Sequence, residues 1–141
     1  MSVFEKRLAE RRNPATRLGS RAALALAAMS VIAADGVIED EEVDALHRLL
    51  QGDQAAYDQA WALFEEITFG ECVEIVSSAL DEQQRLTAIA NLLDLAMVDG
   101  RIDDDEKMLL DAYIESFVIP GETLNAMVDV MLVKNDLSVF A

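Results

Sequence analysis

The chain has few of the residues that stabilise small extracellular domains or break helices. It contains one cysteine, two prolines and six glycines, and aromatic residues make up 6% of the total. A single cysteine cannot close an internal disulfide, so we expect a reducing, cytoplasmic environment rather than a secreted, disulfide-rich scaffold. Because Ala, Leu and Glu are common and β-branched runs are short, the composition favours helices over a sheet-rich fold.

The chain also lacks a long apolar segment. Its longest apolar run, residues 22–34, contains a serine and is shorter than the roughly 20 residues that span a bilayer. Residues 1–21 are polar and lack the layout of a signal peptide. We therefore expect one globular domain with the apolar run as a buried helix, since 141 residues are enough to form a core.

Basic residues are scarce beyond the N-terminal segment. Residues 1–21 carry a formal charge of +4 and the remaining 120 residues a charge of −20, which gives −16 overall. The acidic body should repel nucleic acid and anionic lipid and attract cations or a basic partner. The basic segment could contact a membrane surface or a phosphate-bearing partner, although we prefer a solvated helix or tail.

The spacing of apolar residues predicts an all-α fold, a compact bundle of about seven or eight helices. Gly52, Gly70 and the pair Pro120-Gly121 are predicted to end helices, and Asp53 to cap one. Trp61 and Phe64 are predicted to be buried. The predicted helices cover residues 2–12, 15–34, 39–51, 53–67, 71–80, 82–98, 103–117 and 122–133. A basic N-terminal segment, 1–14, thus precedes a helical domain, 15–141.

Two nearly identical acidic turns are the most informative feature of the sequence. Residues 33–42 read AADGVIEDEE and residues 97–106 read MVDGRIDDDE. At an offset of 64 residues, Asp35-Gly36 aligns with Asp99-Gly100. In both copies an apolar helix precedes the turn and an amphipathic helix follows it. The simplest assembly is two helix–acidic turn–helix hairpins packed with pseudo-twofold symmetry.

Helix capping alone can explain the residue types at each turn. Glu39 or Asp103 can cap the helix that follows, and Glu42 or Glu106, three residues later, can complete a capping box. Carboxylates in a first turn also interact favourably with the helix dipole. This interpretation requires no ligand.

The number of carboxylates favours a second interpretation. Each turn carries five: Asp35 with Glu39–Glu42, and Asp99 with Asp103–Glu106. Capping needs only one or two. If the hairpins pack together, ten carboxylates approach one another, and such crowding is costly unless protons, water or a cation neutralise it.

The spacing D-G-x-I-x-x-x-E matches the second half of an EF-hand calcium loop. Val31 and Ala33 occupy earlier ligand positions, so the turn is not an EF-hand. One half-loop could supply about four oxygens, fewer than the six to eight that Ca²⁺ takes, whereas two facing half-loops or added water could complete a site. Oxygen ligands without His or Cys select Ca²⁺ or Mg²⁺, with Mn²⁺ as a third option.

The paired segments AADGVIEDEEVDAL and MVDGRIDDDEKMLL resemble the tellurite-resistance TerB family over roughly residues 15–117. The resemblance implies a compact all-helical fold and a divalent-cation-binding surface at the turns. It also implies partners at the inner face of the bacterial membrane, including the integral membrane protein TerC and calcium-binding TerD-type proteins. Residues 119–141 add an apolar-faced helix beyond the resemblance. The predicted metal ligands are Asp35, Glu42, Asp99 and Glu106, with Glu39 and Asp103 as secondary candidates.

Three functions follow from these features. The first is a non-enzymatic, TerB-like module for tellurite or chemical stress that binds a divalent cation and docks protein partners. The second is a metal-free acidic adaptor that recruits a basic protein. The third is a metal-dependent hydrolase, which we favour least because carboxylates alone provide no evident nucleophile. His47 is expected on a helix face and Cys72 as a small buried residue.

Overall fold

The computed structural model describes residues 2–5, 18–97 and 102–141, and its regular structure within these ranges is helical throughout. This confirms the predicted all-α fold. The helices are α1 (Ser20–Ile32), α2 (Asp40–Leu49), α3 (Gln54–Phe64), α4 (Phe69–Ala79), α5 (Glu82–Met97), α6 (Asp104–Phe117) and α7 (Gly121–Asn135), followed by a 3₁₀ turn, Leu137–Phe140. Most of the predicted basic segment, 1–14, lies outside the described residues, as do Asp99 and Gly100.

Helix α1 is the centre of the domain. Ten of its residues are buried, and it packs against α2, α3, α4, α5 and α6. Five of the buried residues are alanines, whose short side chains let neighbouring helices approach closely. The helix begins at Ser20 rather than near residue 15, since Gly19 is extended, and it ends at Ile32 rather than at 34.

Local signals set the ends of α2 and α3. Asp53 caps α3 as predicted, because its Oδ1 accepts a hydrogen bond from the Ala56 N–H at 3.0 Å. Gly52 follows α2 with a positive φ of 75°, which glycine adopts without strain. The bounds differ at the ends, since α2 starts at Asp40 and α3 stops at Phe64.

The prediction that Gly70 breaks a helix is wrong. Gly70 lies inside the first turn of α4, which begins at Phe69. A capping box fixes this start: Thr68 Oγ1 accepts from the Glu71 N–H at 3.1 Å, and Glu71 Oε1 accepts from the Thr68 N–H at 3.2 Å. The side chains of Thr68 and Glu71 therefore determine the start of the helix.

The C-terminal helix packs less deeply than the others. Helix α6 ends at Phe117, before Pro120-Gly121, and α7 runs from Gly121 to Asn135 rather than over 122–133. No residue of α7 is buried, although it packs against α5. Lys134 Nζ on α7 lies 3.0 Å from Asp94 Oδ1 on α5. Helix α7 thus lies on the surface of the domain, with Met127 partly buried against the core.

One large aromatic side chain, Trp61, lies partly on the protein surface. Trp61 is 37% exposed, so its predicted burial is wrong, whereas Phe64 is partly buried against the core. Within the described ranges, the structure contains no helix with the length and apolar character needed to cross a bilayer.

Candidate metal centre

The first acidic turn follows directly on the C-terminal end of α1. The chain reverses at Gly36, whose φ of 83° lies in the left-handed region. Asp35 Oδ1 accepts a hydrogen bond from the Val37 N–H at 2.9 Å, and the Gly36 N–H donates to the Ala33 carbonyl at 2.9 Å. These bonds hold the Asp35 carboxylate at the base of the turn, where it remains exposed.

Acidic side chains also begin the helices that follow both turns. Glu39 is the N-cap of α2, and its N–H donates to Glu42 Oε1 at 3.2 Å. Asp103 is the N-cap of α6, and its Oδ1 accepts from the Glu106 N–H at 2.8 Å. Both turns therefore contain the helix-capping interactions that the sequence predicts.

The described part of the second turn lies beside the first. One carboxylate oxygen from each of Asp35, Asp103 and Glu106 can be chosen so that all three lie within 4.8 Å of one another. Asp35 and Asp103 are exposed and Glu106 is half-buried. We call these three residues the carboxylate cluster. It lies between the C-terminal end of α1 and the N-terminal end of α6.

The dimensions of the carboxylate cluster suit a divalent cation. Ca²⁺–oxygen distances are about 2.3–2.6 Å, so two ligand oxygens on opposite sides of one ion are about 5 Å apart. Oxygens within 4.8 Å of one another can therefore all contact one ion after small side-chain movements. Two like charges at this separation repel by about 1 kcal/mol even in water, and a cation between them would offset this repulsion.

The predicted ligands divide into three groups. Asp35 and Glu106, predicted as ligands, and Asp103, predicted as a secondary candidate, come together in the carboxylate cluster. Among the described residues, Glu42 and Glu39 are not part of it. Asp99 lies outside the described residues, so its role and the pseudo-twofold relation of the hairpins stay predictions. The sequence made Asp103 a secondary candidate because its spacing matches a helix cap rather than an EF-hand ligand.

The surroundings of Cys72 and His47 indicate packing roles for these two side chains. Cys72 is buried, and desolvation, helped by the negative charge of Glu71, raises the pKa of its thiol to about 11. The thiol is thus protonated at neutral pH and a poor nucleophile. The His47 ring stacks on Tyr57 with 4.5 Å between ring centroids. Neither residue is part of the carboxylate cluster.

The fold and the cluster define an all-α domain with a group of carboxylates between two helix ends. A family model described as tellurite resistance protein TerB matches residues 21–128, and the chain belongs to this family. The match includes both acidic turns and extends past residue 117 into α7. No curated protein and no solved structure matches the chain significantly.

Proposed function

We propose that this protein is a non-enzymatic module that binds one divalent cation, Ca²⁺ or Mg²⁺, at the carboxylate cluster and thereby controls docking to protein partners. The observation that supports the proposal is the approach of Asp35 to Asp103 and Glu106, which are 68 and 71 residues further along the chain. Capping explains the two residues on α6. It does not explain why a carboxylate at the end of another helix lies beside them.

The ligand set predicts weak binding. Three carboxylates supply fewer oxygens than Ca²⁺ requires, so water or a backbone carbonyl would fill the remaining positions. Two of the three carboxylates are exposed and well solvated, which lowers the gain from binding. We expect a dissociation constant of about 10⁻⁴–10⁻³ M, similar to weak calcium sites in other proteins.

Cation binding should stabilise the fold. An ion at the carboxylate cluster would link α1, the central helix, to the start of α6. At about ten times the dissociation constant, linkage gives a stabilisation of about 1.4 kcal/mol. For a domain of this size that is a rise in melting temperature of about 3–6 °C.

The experiment compares melting temperatures in EDTA and in about 10 mM CaCl₂ or MgCl₂, with NaCl at matched ionic strength as the reference. Asp35→Asn with Glu106→Gln should remove most of the cation-specific rise. Glu122→Gln with Asp129→Asn, which removes two charges from α7, should retain it. A divalent cation that stabilises no more than matched NaCl would contradict the proposal.

Glu42→Gln tests whether the ion uses the ligands predicted from the sequence. Glu42 lies outside the carboxylate cluster and accepts a hydrogen bond from the Glu39 N–H, which a glutamine oxygen can also accept. We expect this variant to keep the full cation response. A loss equal to that of Glu106→Gln would place Glu42 among the ligands.

The capping hydrogen bonds favour a second candidate, a metal-free acidic adaptor. In that case Ca²⁺ and NaCl would stabilise equally, and Asp35→Asn with Asp99→Asn would weaken partner binding without changing the response to metal. The family resemblance supplies the partners for either proposal: TerC-type or TerD-type proteins at the inner face of the membrane. Pull-down with each, in EDTA and in Ca²⁺, distinguishes the two candidates.

A further inference from the structure

A continuous row of aromatic rings runs from α2 along α3 to the start of α4. It consists of His47, Tyr57, Trp61, Phe64 and Phe69, and the distances between consecutive ring centroids are 4.5, 6.5, 5.9 and 6.2 Å. We call it the aromatic ladder. The path from ring to ring is about 23 Å long, so the ladder is at most as long as an extended segment of about seven residues.

Only part of the aromatic ladder belongs to the core. Tyr57 and Phe64 pack against buried residues and fix the inner edge. Trp61 is 37% exposed and Phe69 is 42% exposed, and each remains in ring contact with a neighbour. Core packing therefore explains the inner rings, whereas the two outer rings are only partly covered by the residues that the structure describes. Large, rigid aromatic side chains in this position are typical anchors of protein interfaces.

The segment that carries the aromatic ladder is strongly acidic in sequence. Between Arg48 and Arg85 the chain carries eight carboxylates and no Lys or Arg. Asp58 and Glu65 lie three residues before and four residues after Trp61, a spacing that puts them on the same side of α3 as Trp61, with Glu65 as the helical C-cap residue. Both carboxylates are exposed. An incoming cationic side chain would thus meet aromatic faces and negative charge together.

The combination of aromatic rings and carboxylates indicates which kind of ligand this surface would bind. Guanidinium groups stack on Trp, Tyr and Phe rings, and they form paired hydrogen bonds with carboxylates. Nucleic acid and anionic membranes, which also bind aromatic surfaces, are repelled by the net charge of −16. A second copy of this chain would bring its own net charge of −16, so its acidic body would be repelled even though its residues 1–21 are basic. Charge complementarity therefore favours a basic segment of a different protein.

We propose that the aromatic ladder, flanked by Asp58 and Glu65, docks an arginine-containing segment of a partner protein. The guanidinium groups stack on Trp61 and Phe69 and pair with the flanking carboxylates, while apolar residues between them contact the other rings. This surface is formed by residues other than those of the carboxylate cluster. The inference does not rest on cation binding.

Trp61 provides a direct measurement, because it is the only tryptophan of the chain. The probe is an eight-residue capped peptide of alternating arginine and leucine, titrated in EDTA so that the cation proposal is not involved. Its reference peptides carry citrulline or glutamate in place of arginine. We expect a saturable change in Trp61 fluorescence with the arginine peptide, at least about ten times weaker binding of both references, and weaker binding at higher salt.

Matched variants locate the binding surface. Asp58→Asn with Glu65→Gln should weaken binding about tenfold, whereas Glu122→Gln with Asp129→Asn, the same charge loss on α7, should change it less than twofold. Phe69→Ala should weaken binding, and Met108→Ala, at an exposed apolar residue of α6, should not. Circular dichroism and titration calorimetry of each variant separate lost binding from lost folding.

Three results would overturn the proposal. The first is equal binding of the arginine and citrulline peptides, which would remove the role of charge. The second is an equal effect of both pairs of charge variants, which would show that only net charge matters. The third is self-association that Phe69→Ala abolishes in sedimentation experiments, which would make a second copy of this chain the occupant.

Discussion

Ser30 and Tyr113 form the buried polar contact between α1 and α6. Ser30 Oγ donates to the Ala27 carbonyl at 2.7 Å and lies 2.7 Å from the Tyr113 hydroxyl oxygen. Because the serine proton is already used, Tyr113 must donate to Ser30. Burial raises the pKa of Tyr113 well above its usual value, so the hydroxyl keeps its proton and remains a donor.

This direction of donation predicts unequal effects of two substitutions. Ser30→Ala leaves the buried Tyr113 hydroxyl without that acceptor and should cost about 1–3 kcal/mol of unfolding free energy. Tyr113→Phe leaves Ser30 bonded to Ala27 and should cost about 1 kcal/mol. Urea denaturation of both variants and of the double variant measures the difference. If Tyr113→Phe is the more damaging change, the assigned direction is wrong.

Helix ends show how much of the fold can be predicted from sequence. Asp53 and Asp103 act as N-caps, and the sequence predicts both because a capping bond depends only on residues within one turn. The Thr68–Glu71 capping box carries an equally local signal, T-F-G-E, but the glycine within it, Gly70, by itself indicates a break. A glycine ends a helix only where positive φ is needed.

Properties that depend on tertiary packing were harder to predict. The helical spacing of Trp61 identifies a face of α3 but not whether another helix covers it. The 64-residue offset aligns equivalent positions, whereas the carboxylate cluster joins Asp35 to the non-equivalent Asp103 and Glu106. That contact depends on the packing of α1 against α6, about which the acidic motifs carry no information.

The residue that follows α6, Val118, has an unusual backbone conformation. Val118 has a φ of 57°, in the left-handed region, and is 78% exposed. A β-branched residue there is strained, so Val118→Gly should raise the unfolding free energy by up to about 1 kcal/mol. Val130→Gly, at a 61% exposed position within α7, should lower it by about 0.5 kcal/mol. Thermal melts of both variants should therefore shift in opposite directions, and shifts of the same sign would contradict the assignment of strain to Val118.

The net charge of the molecule destabilises its folded state. A net charge of −16 on 141 residues produces repulsion across the surface, which dissolved salt screens. The described part of the chain offers little internal compensation, with exposed ion pairs between Arg21 and Asp53 and between Lys134 and Asp94. Such exposed pairs contribute at most about 1 kcal/mol each.

We therefore expect the melting temperature to rise as NaCl increases from about 10 mM to about 500 mM. The rise should occur in EDTA and should persist in the Asp35→Asn, Glu106→Gln variant, because screening acts on all surface charges. A melting temperature that is independent of NaCl would show that the carboxylates are too widely spaced to repel one another. The same salt series is the reference for the divalent-cation experiment.

The unequal burial of α1 and α7 divides the domain into parts of different local stability. Removing α1 would expose surfaces of five other helices at once, so we expect its backbone amides to exchange only when the whole domain unfolds. Helix α7 has no buried residue, and it can open while the remaining helices stay assembled. Among the helices that the structure describes, α7 should therefore be the first that a protease cuts and the first whose amides exchange.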